Sequence, residues 1–376
     1  SGGRDVEHAT EVISAEIFGI VGFLLYAMTI VEYLVHYRFF DWVYARMLRL
    51  KLTDRAQLWL IGALSFLASA IIDNLTATLV MLQIATRFFR GRNLLIAACT
   101  IIAAANAGGA PSPIGDVTTI MLWLNGKFTV GQVIGWGTAP ALVMFLLSTA
   151  LLARHIRSDT PDLQEEPVAI SRSEWVVIAA AALAFPLPCV FHLLKLQPYM
   201  GLMLGFGLLS GMVAFFNYVA PRQTHLSARM DHLLKRVQHD SLLFFAGILL
   251  AVGGLRHLGV LSDLSRVVFG EAPGVWRFVA GNTFLGVLSA LVDNIPLTAA
   301  AVHLLKTTDP AIWVLLAFTV GTGGSFLVFG SAAGVVAMSA LPGLTHDVYR
   351  KISPVPVAAG YLGGVAVWCL QYLLFR

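Results

Sequence analysis

Charge is scarce in this chain. Lys, Arg, Asp and Glu make up 12% of its 376 residues, about half the share of an ordinary soluble domain, so much of the folded surface is not built to face water. Cysteine is scarcer still. Cys99, Cys189 and Cys369 are scattered through apolar segments at no metal-ligand spacing, which argues against a disulfide framework or a zinc site. No Gly-rich phosphate loop is present, so no nucleotide partner is expected. The net charge of +4 does not point to nucleic acid either, because basic loops are normal in membrane proteins and their placement carries topology. What fills the chain is apolar: 57% hydrophobic residues and a mean hydropathy of +0.78, gathered into runs of about 20 residues, the length that crosses a bilayer. The sequence reads as an all-α polytopic membrane protein with the lipid bilayer as its environment.

The apolar runs fall at about 11–37, 55–89, 93–122, 131–153, 173–193, 199–219, 238–259, 277–306, 311–341 and 354–375. Two of them carry Asp-Asn at their centres: Asp73-Asn74 in 55–89 and Asp293-Asn294 in 277–306. Each such run is either one long tilted helix or a re-entrant hairpin with Asp-Asn at its tip. Basic residues decide, because short cytoplasmic loops collect Lys and Arg. With both runs re-entrant, 17 of the 25 Lys and Arg fall on one side; with both crossing, the division is 12 and 13. The asymmetry selects the hairpins and puts the start of the chain on the periplasmic side.

Two further runs are interrupted. "NAGGAPSPIGD" (Asn106 to Asp116) breaks 93–122, and "GTGGSFLVFGS" (Gly321 to Ser331) breaks 311–341. The interruptions share glycine at 108/323, 109/324 and 115/330, a spacing of 215, while "DNLTAT" and "DNIPLT" lie 220 apart. Under the hairpin topology the two copies enter the membrane from opposite sides. The chain therefore reads as an inverted repeat: a first copy at 11–153 (hairpin 55–89, broken helix 93–122), a cytoplasmic linker at 154–172, and a second copy at 173–376 (hairpin 277–306, broken helix 311–341). That is an architecture of many secondary transporters, with the substrate site where broken helices meet near the midplane.

The chemistry of the interruptions follows from the solvent. Irregular backbone at membrane depth is tolerated only where it is buried in protein or lines a watery cavity, because its freed N–H and C=O groups need partners. Pro111 and Pro113 block helical hydrogen bonding, and paired glycines allow close approach. An Asp near the centre of a spanning helix costs on the order of 2.5 to 3.5 kcal/mol on insertion scales and is read as functional. There are three: Asp73, Asp116 and Asp293. Asn74, Asn106, Asn294, Ser112, Thr76, Thr118, Thr119, Thr298, Thr322, Ser325 and Ser331 add amide and hydroxyl oxygens. Such oxygen-rich sites suit a hard cation, and their carboxylates can hold protons instead, so the two would compete. The hydroxyls rank below Asp and Asn, since a lone Ser or Thr in a helix usually bonds back to its own carbonyls.

"AMTIVE", "DNLTATLVM", "AANAGGAPSPIGDVTTIMLW", "LVDNIPLTAA" and "GTGGSFLVFGSAAGVVAM" together resemble the NhaD-type sodium/proton antiporters of the ion transporter superfamily, from about residue 20 to the C-terminus. The resemblance implies exchange of Na+ or Li+ for H+ across a bacterial inner membrane, by an elevator-like motion, in a homodimer that carries no cofactor. Carried over motif by motif, the implied cation- and proton-binding residues are Asp73, Asn74 and Thr76 at the first tip and Asn106, Ser112, Asp116, Thr118 and Thr119 at the first break. In the second half they are Asp293 and Asn294, then Thr322, Gly323, Gly324, Ser325 and Ser331. Na+ itself is assigned to Asp73, Asn74, Asn106, Asp116, Asp293 and Asn294. Two departures stand out. Pro111 occupies a position where the family usually holds an aromatic residue. The second copy has two spans, 173–193 and 199–219, ahead of the one that precedes its hairpin, where the first has only 11–37; either the chain is shortened at its start or its scaffold is asymmetric.

The runner-up within transport is an anion permease of the same superfamily, carrying di- or tricarboxylates or arsenite. Neutral tips and helix N-termini would serve an anion, whereas Asp73 and Asp293 repel one. An intramembrane hydrolase would need a nucleophile beside a base, or paired aspartates on facing helices, and these aspartates sit at tips and breaks. The reading is therefore a transporter and not an enzyme. Glu32, near the end of an apolar run, is a candidate for the proton path, with a snorkelling interfacial carboxylate as the equal alternative.

Overall fold

The structure, a computed structural model, describes residues 2–157, 169–219, 228–237 and 274–375, with scattered positions between 239 and 269. The apolar run at 238–259 lies largely outside the described residues. The helices, in chain order, are α1 (Gly2–His36), α2 (Phe39–Leu48), α3 (Asp54–Ile71), α4 (Asn74–Phe88), α5 (Gly91–Gly109), α6 (Val117–Leu124), α7 (Val130–Ala153), α8 (Arg172–Ala184) and α9 (Leu187–Leu193). They continue as α10 (Pro198–Val219), α11 (Met230–Leu234), α12 (Val275–Leu288), α13 (Asn294–Leu304), α14 (Pro310–Gly323), α15 (Ala332–Ala340), α16 (His346–Ile352) and α17 (Pro354–Phe375), with a short 3-10 turn at Gly324–Phe326 after α14. There is no strand among the described residues. Among the described residues, five segments are long and apolar enough to cross a membrane: Ile17–His36, Val130–Ala153, Arg172–Leu193, Pro198–Val219 and Pro354–Phe375.

Most helix ends match the expected runs within a few residues, and the differences have local causes. The run at 173–193 is two helices, because Pro186 and Pro188 remove the amide donors that would carry one helix through. The short helices α2, α11 and α16 were not expected as spans, and at 10, 5 and 7 residues they are too short to be any. α3 opens on Thr53, whose hydroxyl accepts from the Ala56 amide. α7 opens on a reciprocal capping box between Thr129 and Gln132, which satisfies two otherwise orphaned amides.

The chain forms two compact units, each drawing on both halves of the sequence: Ser1–Lys51 with Gln164–Gly253, and Leu52–Leu163 with Gly254–Arg376. In the first unit, α1 packs against α2, α8, α10 and α11. The Tyr33 hydroxyl donates to Ser210 Oγ at 3.1 Å, and the Tyr37 hydroxyl accepts from the Ala228 amide. Phe39 and Trp42 of α2 meet Trp175 of α8 edge to face.

The second unit holds both Asp-Asn turns and both interruptions. α3 and α4 meet at a two-residue break, Ile72-Asp73; α12 and α13 meet at a five-residue break ending on Asp293. α5 packs on α3 much as α14 packs on α12, and matched contacts hold each pair. Ser69 Oγ donates to the Ala105 carbonyl at 2.6 Å, and Ser289 Oγ to the Val320 carbonyl at 2.9 Å. A Cβ at Gly108 would collide with the Phe66 backbone, and one at Gly323 with the Gly286 backbone, so at these two positions glycine is what lets α5 and α14 come so close. The helices after the breaks are exchanged: α15 packs against α4, and α6 against α13. This exchange brings the two interruptions together.

Candidate functional site

The polar centre of the second unit is built on helix ends. Asp73 is the N-cap of α4: its Oδ1 accepts from the Thr76 amide at 2.9 Å and its Oδ2 from the Thr76 hydroxyl at 2.6 Å. Asn74 turns the other way. Its Nδ2 donates to Asn106 Oδ1 at 3.0 Å and to Asp116 Oδ1 at 3.1 Å. Asn106 lies three residues before the end of α5 and is fully buried; its Nδ2 donates to Ser325 Oγ at 2.8 Å and to Ser331 Oγ at 3.0 Å. Asp116 caps the backbone start of α6, and its Oδ2 accepts from the Thr118 hydroxyl. One hydrogen-bonded chain thus runs from the first tip, through the first break, to the second break.

Burial makes that chain consequential. Asp116 is 1% exposed, and Asn106, Thr118 and Ser325 are not exposed at all. A buried polar group without a partner costs on the order of 1 to 3 kcal/mol, so the network is held by what its members would lose on separating. The three carboxylates feel one another: Asp116 lies within Coulombic range of Asp73, and Asp293 within range of Asp116. No group of three His, Cys, Asp or Glu side chains that could hold a metal ion gathers among the described residues. The arrangement is one carboxylate per helix end, with neutral amides between.

Other expected residues fall around this chain. Ser112 Oγ donates to the Ala70 carbonyl at 2.5 Å, which pins the first break onto α3. Thr119 donates to the Ala110 carbonyl at 3.2 Å across the break. Thr298 and Thr322 donate back to Asn294 and Phe318 in their own helices. Ser331 caps α15 through the Gly334 amide. Gly324 lies against the Gly330 carbonyl, as Gly109 lies against that of Gly115. The second tip differs from the first, because Asp293 has no capping bond and Asp293 Oδ1 and Asn294 Oδ1 are buried without hydrogen-bond partners. Two oxygens there are free to take a ligand. Glu32 belongs to the first compact unit, where Arg236 is its electrostatic partner and its Oε2 is unpartnered.

Three features escaped the sequence reading. Gly321 sits against the Asp116 carboxylate, so that a Cβ there would lie 2.7 Å from Oδ2. The Tyr349 hydroxyl, fully buried on α16, donates to the Ser325 carbonyl at 2.7 Å. Thr78, one turn beyond Asn74, has a buried hydroxyl without a partner; its place opposite Thr298 in the matched Asp-Asn motifs was the available signal. Nothing in the sequence pairs Tyr349 with Ser325.

Helices of membrane-spanning length, broken helices meeting at a buried polar centre, and no strand among the described residues define an all-α polytopic membrane protein. A family profile described as "Citrate transporter" (CitMHS) matches residues 5–341. The chain is 33% identical to the Na(+)/H(+) antiporter NhaD of Alkalimonas amylolytica, over 97% of this chain and 80% of that one. Against NhaD of Vibrio parahaemolyticus it is 32% identical over 92% and 88%. Against sodium/proton antiporter 1 of Arabidopsis thaliana it is 35% identical over 97% of this chain, but spans only 63% of the plant protein. The chain belongs to the family this profile describes and to that of the NhaD-type Na+/H+ antiporters. Its fold resembles that of MtrF of Neisseria gonorrhoeae, described as illuminating a class of antimetabolite efflux pumps, with a TM-score of 0.56 at 11% identity, over 97% of this chain and 83% of that one.

Proposed function

We propose that the protein is a secondary transporter that exchanges Na+ or Li+ for H+ across a bacterial inner membrane, and that the buried chain Asn74–Asn106–Asp116 with Thr118 is where the two ions compete. The observation that carries this is Asp116: a carboxylate 1% exposed, whose polar partners are an amide and a hydroxyl. Three carboxylates within Coulombic range repel when all are ionised, so an empty site holds a proton, and an arriving cation releases it. Asp116 is the assigned proton carrier, because its counterpart in the second half is the neutral Ser331. The assigned cation ligands are Asp293 and Asn294, whose free oxygens invite a hard cation, with Asp73, Asn74 and Asn106 completing the set. Glu32 is a candidate station on the proton's path.

Residues 11–153 and 173–376 are taken as inverted repeats joined by a cytoplasmic linker at 154–172, with re-entrant hairpins and a periplasmic start. The paired Ser69 and Ser289 bonds, together with the exchanged half-helices, support the repeat. The second compact unit is then the moving body of an elevator-like cycle in a homodimer.

The family profile's description raises citrate as the rival. A trianion would meet Asp73, Asp116 and Asp293, and none of the hydrogen bonds made by Asp73, Asn74, Asn106 or Asp116 comes from Lys or Arg. Among the described residues, three carboxylates with no Lys or Arg bonded to them disfavour such a substrate. The test is collapse of an imposed pH gradient in proteoliposomes by Na+ or Li+ but not by citrate, succinate or arsenite.

A further inference from the structure

Gly321 lies in the last turn of α14. A Cβ built on it would stand 2.7 Å from Asp116 Oδ2, 3.2 Å from Thr118 Oγ1 and 3.8 Å from Asp116 Cγ. The first distance is shorter than any real Cβ contact, so with a side chain at 321 something must give. The carboxylate is tethered at both oxygens, Oδ1 by the Asn74 amide at 3.1 Å and Oδ2 by the Thr118 hydroxyl, so it yields by turning away from α14 rather than by staying in place. The helix cannot retreat. Two residues further on, Gly323 is already pressed against the Gly286 backbone, and every residue of α14 from Ala311 to Gly323 is buried. The missing side chain therefore sets where the Asp116 carboxylate rests.

We infer that Gly321 is a selectivity-determining position: the bare backbone at 321 leaves Asp116 drawn back towards α14, which keeps the ion site wide enough for Na+. This rests on the proposed role of Asp116. A methyl at 321 turns the carboxylate away from α14 and into the site. A narrowed site penalises the larger Na+ more than the smaller Li+, and a size effect of this kind shifts the ratio of two affinities, which a folding defect does not. Nothing in the sequence distinguishes Gly321 from the other glycines of "GTGGS"; the contact with Asp116 does.

The test compares wild type, Gly321→Ala and Gly131→Ala in proteoliposomes, reading the apparent KM for Na+ and for Li+ from cation-driven proton release. Gly131 is the control, because a Cβ there meets nothing within 4 Å. Overpacking of this severity should raise the KM for Na+ in Gly321→Ala by about tenfold, with a clearly smaller rise for Li+ and no change of ratio in Gly131→Ala. Equal losses for both ions, or no loss, overturn the inference. Should Gly321→Ala fail to fold, the double variant Gly321→Ala/Thr118→Ala removes the hydroxyl nearest the new methyl and gives the carboxylate room to turn. It should fold and prefer Li+ more strongly than Thr118→Ala alone does; an equal preference in the two, or a double variant that fails to fold, makes the inference wrong. A wild-type protein that releases no protons with either ion refutes the exchange function instead, so the two failures are distinct.

Discussion

Asn106→Ala removes the centre of the buried network at one stroke. The Asn106 side chain accepts one bond from Asn74 and donates two, to Ser325 and Ser331. Buried side-chain bonds between helices in membrane proteins average about 0.6 kcal/mol each, so three amount to roughly 2 kcal/mol. The void left by the amide group adds about 1 kcal/mol. A loss of about 3 kcal/mol corresponds to a fall in Tm on the order of 5 °C for a chain of this size. The assay is thermal unfolding of the purified protein in one fixed detergent. Ser325→Ala alone should cost far less, because Asn106 Nδ2 keeps its bond to Ser331. In the Asn106→Ala background Ser325→Ala should cost nothing further, since the bond is already gone. An Asn106→Ala protein within about 1 °C of wild type, or strictly additive losses in the double variant, would show that the network is not what joins the two breaks.

Asp116→Asn keeps size and one oxygen but cannot titrate, so it should abolish Na+-dependent proton flux while retaining Na+ binding in equilibrium measurements; normal coupled flux would move the proton to another acid. Asp293→Asn, by contrast, should raise the apparent KM for Na+ before it uncouples exchange, which initial-rate flux at graded Na+ separates. Because one ion displaces the other, lowering the pH should raise the apparent KM for Na+, approaching tenfold per pH unit for one proton exchanged; a KM independent of pH between 6 and 9 contradicts competition. In a cysteine-free background, Leu52→Cys and Arg92→Cys should react with an impermeant reagent from the same, cytoplasmic side, and labelling from opposite sides removes the first re-entrant hairpin.

Much of this architecture was legible in the sequence, because the bilayer forbids what the sequence nonetheless contains. Asp73-Asn74 and Asp293-Asn294 stand at the breaks between helix pairs, and Pro111, Pro113 and the paired glycines mark interruptions where the chain does leave the helix. The split of 173–193 at Pro186 was equally available from proline chemistry. Which carboxylates are hydrogen-bonded, however, was not. "DNLTAT" and "DNIPLT" look alike, yet Asp73 is tied down by Thr76 while the position matching Thr76 in the second motif is Pro296, which offers neither hydroxyl nor amide hydrogen. That single replacement leaves Asp293 uncapped. The contacts of Gly321 and Tyr349 depend on how α14 and α16 pack against the rest of the second unit, and no local pattern encodes them.

The central claim is that a buried aspartate trades a proton for an alkali cation, and one measurement addresses it most directly. Proteoliposomes with purified protein and a pH-sensitive dye receive an imposed gradient, then Na+, Li+, citrate or succinate in turn. Na+ and Li+ should collapse the gradient in the wild type and fail to do so in Asp116→Asn, while the carboxylates leave it intact in both. Collapse by citrate in the absence of Na+, or an undiminished response to Na+ in Asp116→Asn, would contradict the account.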